Sequence, residues 1–221
     1  MTPTITHANG TVSTYAVQQI AADPDTQVAQ TIGVMRRYAT EDSTSPQIIL
    51  QARDAVRESG GGDAVSAVWQ YVKARMRFVQ DAVTGASMQA AMPEDVVVEV
   101  LIRPRDMHTW MQGDCDDFVT YGASLLIALG IPVAFATVAA DAEAPEQYTH
   151  VYLVAYPPAG IRTPLDLSHG QYVGWETPNV YRLREWPVTG GQTADVIAEM
   201  LPVVAVAYGA WALLSGKRRA S

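Results

Sequence analysis

The sequence predicts an α+β fold in which helices pack against a small antiparallel sheet. Three observations lead there. Apolar residues recur at helical spacing through the first half of the chain, and short runs rich in valine and aromatics follow from Val133 onward. Between them lies one segment with both a helix start and a helix stop signal, running from Asp114 to Pro132. The expected organisation is an N-terminal arm over 1–26, a domain over 27–190, and an apolar helix with a basic tail over 191–221.

The arm is rich in threonine, alanine and asparagine with weak periodicity, the pattern of a loosely ordered segment or one that docks on a partner. From Gln27 to Tyr38, the positions of Val28, Ile32 and Met35 predict a first helix. Ile48, Ile49, Ala52 and Val56 predict a second, ended by Glu58-Ser59-Gly60-Gly61-Gly62. Asp63 is the expected N-cap of a third, which carries Val65, Val68, Trp69 and Val72 into Arg75-Met76-Arg77-Phe78-Val79. Pro93-Glu94-Asp95 reads as the opening of a short helix from Val96 to Ile102, with proline in the first turn and acids at the positive end of the dipole. Strands are expected at Val133–Ala139 and Val151–Tyr156, with Ile161–Leu167 as a third.

Composition narrows the function. A formal charge of −8 with the only tight basic cluster at Lys217-Arg218-Arg219 argues against nucleic acid as a partner. A single cysteine excludes an internal disulfide and a cysteine-rich zinc site. The start, Met1-Thr2-Pro3-Thr4, has neither the basic region nor the apolar run of a secretory signal, so a cytoplasmic setting is expected from the residues alone.

The densest chemical signal is Gly113-Asp114-Cys115-Asp116-Asp117, which opens a helix carrying Phe118, Tyr121, Leu125 and Leu126 and ending at Gly130-Ile131-Pro132. Asp114 is a candidate N-cap with Asp117 three residues on, and Gly130 supplies a left-handed terminus. Cys115 then sits at a helix N-terminus, where unpaired N–H groups and the dipole favour the thiolate. Gly113 lets a substrate approach the backbone, and the Cys115 amide is a candidate oxyanion donor. The three flanking aspartates oppose thiolate formation, so a cationic partner is required. His150 begins an apolar run 35 residues later and is the candidate base. Asp166, set between Leu165 and Leu167, is the candidate carboxylate that fixes its tautomer. His108 and His169 are rival bases, and His7 lies in the arm. Gln112, Trp110 and Trp69 are candidate side-chain oxyanion donors. Asp114, Asp116 and Asp117 lack the loop glycine and distal glutamate of an EF-hand, and helix capping accounts for them, so neither a metal nor a cofactor is expected.

The order Cys115, His150, Asp166, with Gly-Asp-Cys-Asp-Asp opening a helix that ends Leu-Gly-Ile-Pro, resembles the transglutaminase-like branch of the papain-like superfamily. More narrowly, it is similar to the transglutaminase-like cysteine peptidases encoded in bacteriophage structural gene clusters. The resemblance covers roughly 63–186 and implies a papain-like core with Cys115 as nucleophile, His150 as base and Asp166 as its orienting acid. It departs at Val151, where relatives often carry an aromatic residue. It implies a thiol hydrolase or acyltransferase acting on a peptide or isopeptide amide, with bacterial cell wall peptidoglycan among the candidate substrates. The same resemblance implies a place in a phage virion, and with it two other readings: a structural protein that keeps the fold without catalysis, docked on virion neighbours, or a membrane-associated ejection factor.

The third reading turns on the tail. Val196 to Leu214 is apolar, and residues 196–219 end on the basic cluster, so contact with a membrane is conceivable. The charge-free run from Leu201 to Leu214 is 14 residues, however, short of the roughly 20 that span a bilayer. An assembly or packing helix is the favoured expectation.

Overall fold

The computed structural model describes residues 4–6, 12–14, 16–19, 23–81, 96–158, 161–189 and 210–216. It is a mixed α+β structure with a small antiparallel sheet. Three short strands come first, β1 (Thr4–Thr6), β2 (Val12–Thr14) and β3 (Ala16–Gln19). Helices α1 (Pro24–Asp42), α2 (Pro46–Glu58) and α3 (Ala64–Arg75) follow. Each starts where the side chain before it can cap: Asp23 accepts from the Thr26 N–H at 2.9 Å, Ser45 from Ile48 at 3.3 Å, and Asp63 from Ser66 at 2.9 Å. Proline at the first position of α1 and α2 adds a preset φ where no amide partner is needed.

Next come β4 (Arg77–Phe78), β5 (Val96–Ile102), a short helix α4 (Met107–Trp110) and β6 (Gln112–Gly113). Helix α5 (Cys115–Ala128) is buried on nearly every side, all residues from Asp116 to Leu126 included. It is surrounded by α1, α2 and α3 and packs on the sheet formed by β7 (Val133–Ala139), β8 (His150–Ala155), β9 (Thr163–Leu165) and β10 (Arg182–Pro187). That sheet has the order β10-β7-β8-β9 and is antiparallel throughout. Because strand side chains alternate, Val133, Phe135, Val151 and Leu153 join the helical core, while Ala136, Val138, Tyr152 and Val154 form a smaller cluster on the opposite face. Around this second cluster, the Tyr152 hydroxyl donates to Glu176 at 2.5 Å, and Arg162 binds both Glu176 and Glu185.

The end of α5 follows its sequence signal. Gly130 has φ 76°, and the Ile131 N–H returns to the Leu126 carbonyl at 3.0 Å, so the chain turns straight into β7.

Two expectations are corrected. Val96–Ile102 is the strand β5, not a helix: valine-rich, β-branched residues outweigh the proline and acids before them once an edge partner exists. That partner is β11 (Ala210–Gly216), which pairs antiparallel with β5 and parallel with β3. The expected C-terminal apolar helix is therefore a strand over 210–216, where long-range pairing overrides a helix-compatible composition. Its portion over 191–209 and the basic tail over 217–221 lie outside the described residues, as do His7 and other parts of the arm. Among the described residues, no helix is long and apolar enough to cross a membrane.

Candidate functional site

Cys115 is the first residue of α5, and the short parallel pairing of β4 with β6 leads the chain into it, with the Val79 N–H donating to the Gly113 carbonyl at 2.8 Å. A side chain at Gly113 would put a Cβ 2.3 Å from Asp117 Oδ2, so the approach to the helix is closed to larger residues. Cys115 is half-buried, and its helix packs against β8, where the backbone N–H of Val151, the residue after His150, favours the thiolate.

His150 opens β8, and Asp166 is the first residue past β9, whose Leu165 lies opposite Leu153 of β8. The two candidate side chains meet: His150 Nε2 lies 2.8 Å from Asp166 Oδ2. Asp166 is fully buried, and its other oxygen accepts from the His169 N–H at 2.7 Å and from the Ser168 N–H and hydroxyl, each at 3.1 Å. Burial alone would raise the carboxyl, but the His150 bond, the His150 charge and these turn donors outweigh it and hold Asp166 at about 2. An ionised Asp166 accepts from Nε2–H, which leaves the lone pair on His150 Nδ1. Lys73 of α3 donates to the Ser168 carbonyl at 3.1 Å and ties the turn to the helical layer.

The rival histidines separate clearly. His108 has both ring nitrogens in local contacts, with the Arg105 carbonyl at 3.0 Å and the Thr109 hydroxyl at 3.2 Å. His169 instead stands edge-on to His150, with ring centroids 5.2 Å apart, and also packs on Phe78 at 4.9 Å. Of the three candidate donors, Trp110 is buried in the core. Gln112 Oε1 accepts from Arg77 at 2.7 Å, which leaves its amide N–H groups as donors. Trp69 Nε1 is buried without a hydrogen-bond partner among the described residues.

The acids around Cys115 do more than the sequence suggested. Asp114 occupies the N-cap position, yet its side chain makes no capping bond. It belongs instead to a group with Asp81, Glu99, Asp116 and Asp117, of which Asp81, Asp116 and Asp117 are buried and Asp114 and Glu99 half-buried. Asp117 Oδ1 accepts from the Ile102 N–H at 2.7 Å, and Asp81 Oδ2 accepts from the Val100 N–H. These alternate amides lie on one edge of β5, the other edge being paired with β11, so two carboxylates satisfy donors that no strand among the described residues reaches. Asp81, Asp114, Asp116 and Asp117 each keep one buried oxygen with no partner among the described residues. One carboxylate oxygen from each of Asp81, Asp114 and Asp117 lies within 4.8 Å of the others, an all-oxygen set that could hold a hard divalent cation. The expectation that capping alone explains these acids is thus corrected: Asp81 and Glu99, distant in sequence, complete the group.

Burial, reinforced by mutual repulsion, pushes Asp81, Asp116 and Asp117 well above the ordinary carboxylate range, and burial also raises Glu99. Burial first, then Asp114 and Glu99, likewise raise the Cys115 thiol, against the opposing Val151 N–H. These influences favour the neutral thiol over the thiolate, so that a nucleophilic role for it would call for a base.

A raised carboxyl binds more protons folded than unfolded. The stability it contributes is complete below the unfolded pKa and is lost as pH rises through the folded one. Asp117→Asn keeps an oxygen for Ile102 and removes one repelling charge. It is expected to stabilise the metal-free protein by about 1 kcal/mol at pH 8 and by less at pH 4. Denaturant melts at both pH values measure this, and equal or opposite effects would show that like-charge repulsion is not what governs the group.

Comparison with known proteins adds little beyond this geometry. No protein-family model matches the chain, and no curated protein matches it. Among solved structures, it is similar to a protein described as a Putative Cysteine Protease from Cytophaga hutchinsonii, at 19% identity and a TM-score of 0.39, covering 69% of this chain and 47% of that one. A second similarity is to the Rad4–Rad23 complex bound to a 6-4 photoproduct UV lesion, at 9% identity and a TM-score of 0.33, covering 65% of this chain and 36% of that one. The chain thus spans less than half the length of either.

Proposed function

We propose that the protein is a cysteine-dependent hydrolase or acyltransferase of the transglutaminase-like kind, acting on a peptide or isopeptide amide. The observation that carries this reading is the His150–Asp166 pair at 2.8 Å, with His150 on the strand against which the Cys115 helix packs. Cys115 Sγ attacks the carbonyl carbon while His150 Nδ1 takes the thiol proton, forming the S–C bond and moving the π electrons onto oxygen. The Cys115 N–H, in the first turn of α5 where helix amides have no intrahelical partner, would donate to that oxyanion. Asp166 stabilises the imidazolium through Nε2–H. The oxyanion then collapses, the C–N bond breaks, and the leaving amine takes the proton from His150. Water or a second amine, deprotonated by the same imidazole, resolves the thioester.

The neutral resting thiol makes this base-catalysed attack the fitting route, rather than a standing thiolate–imidazolium pair. The motif's resemblance to phage structural-cluster proteins favours a virion setting and a cell-wall amide as substrate. Acyl-enzyme capture tests the reaction: incubation with a small activated ester should place one acyl group on Cys115, and its absence there would rule the reading out.

A further inference from the structure

We propose that His150, Asp166 and His169 also form a site for a zinc-class divalent ion, which switches off the base when occupied. The inference rests on the reading of His150 as that base.

A ring nitrogen of His150, a carboxylate oxygen of Asp166 and a ring nitrogen of His169 lie within 4.8 Å of one another. Two imidazoles with one carboxylate make a borderline donor set, suited to Zn²⁺ rather than to the hard cations that the all-oxygen group near Cys115 would take. Donors around one tetrahedral zinc lie roughly 3–3.5 Å apart, so side-chain shifts of about 1 Å would close the set.

The imidazole of His169 has no part in the acyl-transfer chemistry. Its backbone N–H supports Asp166, while its exposed ring stands edge-on to His150. His169 Nδ1 lies 2.9 Å from the Ser168 hydroxyl, an outer partner of the kind that orients a ligating histidine and leaves Nε2 for an ion. The turn is closed by the Gly170 N–H, which donates to the Asp166 carbonyl at 3.1 Å. An ion held here uses a lone pair of His150 and a carboxylate oxygen of Asp166, and any proton on a ligating nitrogen leaves to solvent. His150 then has no means of accepting the thiol proton.

The test is titration of the metal-free full chain with zinc chloride, competed against a chromophoric chelator, together with the rate at which iodoacetamide labels Cys115. The wild type should bind one equivalent with a micromolar dissociation constant and lose labelling in step with occupancy. His169→Ala should weaken that equivalent by at least about tenfold and relieve the inhibition. Cys115→Ser should still bind it, because the thiol is not one of the three donors. Absence of binding, unchanged binding in His169→Ala, or loss of binding in Cys115→Ser with retention in His169→Ala would each overturn the site. If His169-dependent binding holds but metal-free Cys115 does not react, the metal site stands and the catalytic reading fails.

Discussion

His150→Ala is expected to lower acyl transfer through Cys115 by about 10²–10⁴-fold, the usual range for removing a general base. The loss should be large because the influences that favour the thiolate at the helix start are outweighed by those that raise the thiol. Burial, Asp114 and Glu99 all raise it, and the Val151 N–H is the one opposing contact among its main influences. Iodoacetamide labelling at neutral pH should fall in parallel, since it needs the same deprotonation. The variant should also carry a mark at low pH. In the wild type Asp166 is depressed to about 2, so its contribution to stability is present above the ordinary carboxylate range and is lost as pH falls through about 2. Without His150 the main influence opposing burial is gone, so that contribution is lost at neutral pH and the variant's stability should fall less steeply as pH is lowered towards 2. Labelling and acid stability both equal to wild type would mean that His150 neither serves the thiol nor holds Asp166.

Gly170→Ala is the second large effect. An added Cβ would lie 2.3 Å from the Asp166 carbonyl oxygen and 3.0 Å from Asp166 Cβ, and a backbone atom cannot swing aside as a side-chain tip can. The turn from Asp166 to Gly170 must open, which weakens the donors on Asp166 and lets its carboxylate drift from His150. A cost of about 2–3 kcal/mol is expected, lowering Tm by about 5–10 °C for a chain of this size. Acyl transfer should drop beyond what partial unfolding explains. Gly122→Ala is the control: its Cβ meets the Leu167 Cδ1 tip at 2.2 Å, and rotation of that side chain should limit the cost to about 1 kcal/mol. Thermal melts and labelling rates at a temperature where both variants are folded separate the two.

The sequence made the local signals legible and left the distant pairings hidden. Cys115 could be placed at a helix start because Gly113 and Asp114 precede it and Gly130-Ile131-Pro132 ends the same helix, all within one stretch. The segment 96–102 was misread because Pro93-Glu94-Asp95 is a genuine local helix signal, whereas β11, the strand that stabilises β5, lies more than a hundred residues further on. The acidic group was half legible for the same reason. Asp114, Asp116 and Asp117 are adjacent, but Asp81 and Glu99 reach them only through the fold. One clue was available: Glu99 is the lone charge in a seven-residue run that is otherwise valine, leucine and isoleucine. A charge in such a run needs a partner or a proton. His169 could be named as a histidine near Asp166, but its edge-on contact with His150 depends on a turn that spacing does not specify.

The thioester itself tests the central claim most directly. Wild-type protein mixed with a stoichiometric excess of p-nitrophenyl acetate, quenched in acid and mapped by mass spectrometry, should carry acetyl on Cys115, formed in a burst and then turned over. His150→Ala should show no burst, and Cys115→Ala no acetyl in that peptide. Acetylation confined to lysines, or an equal burst with and without His150, would contradict a nucleophilic Cys115 served by His150.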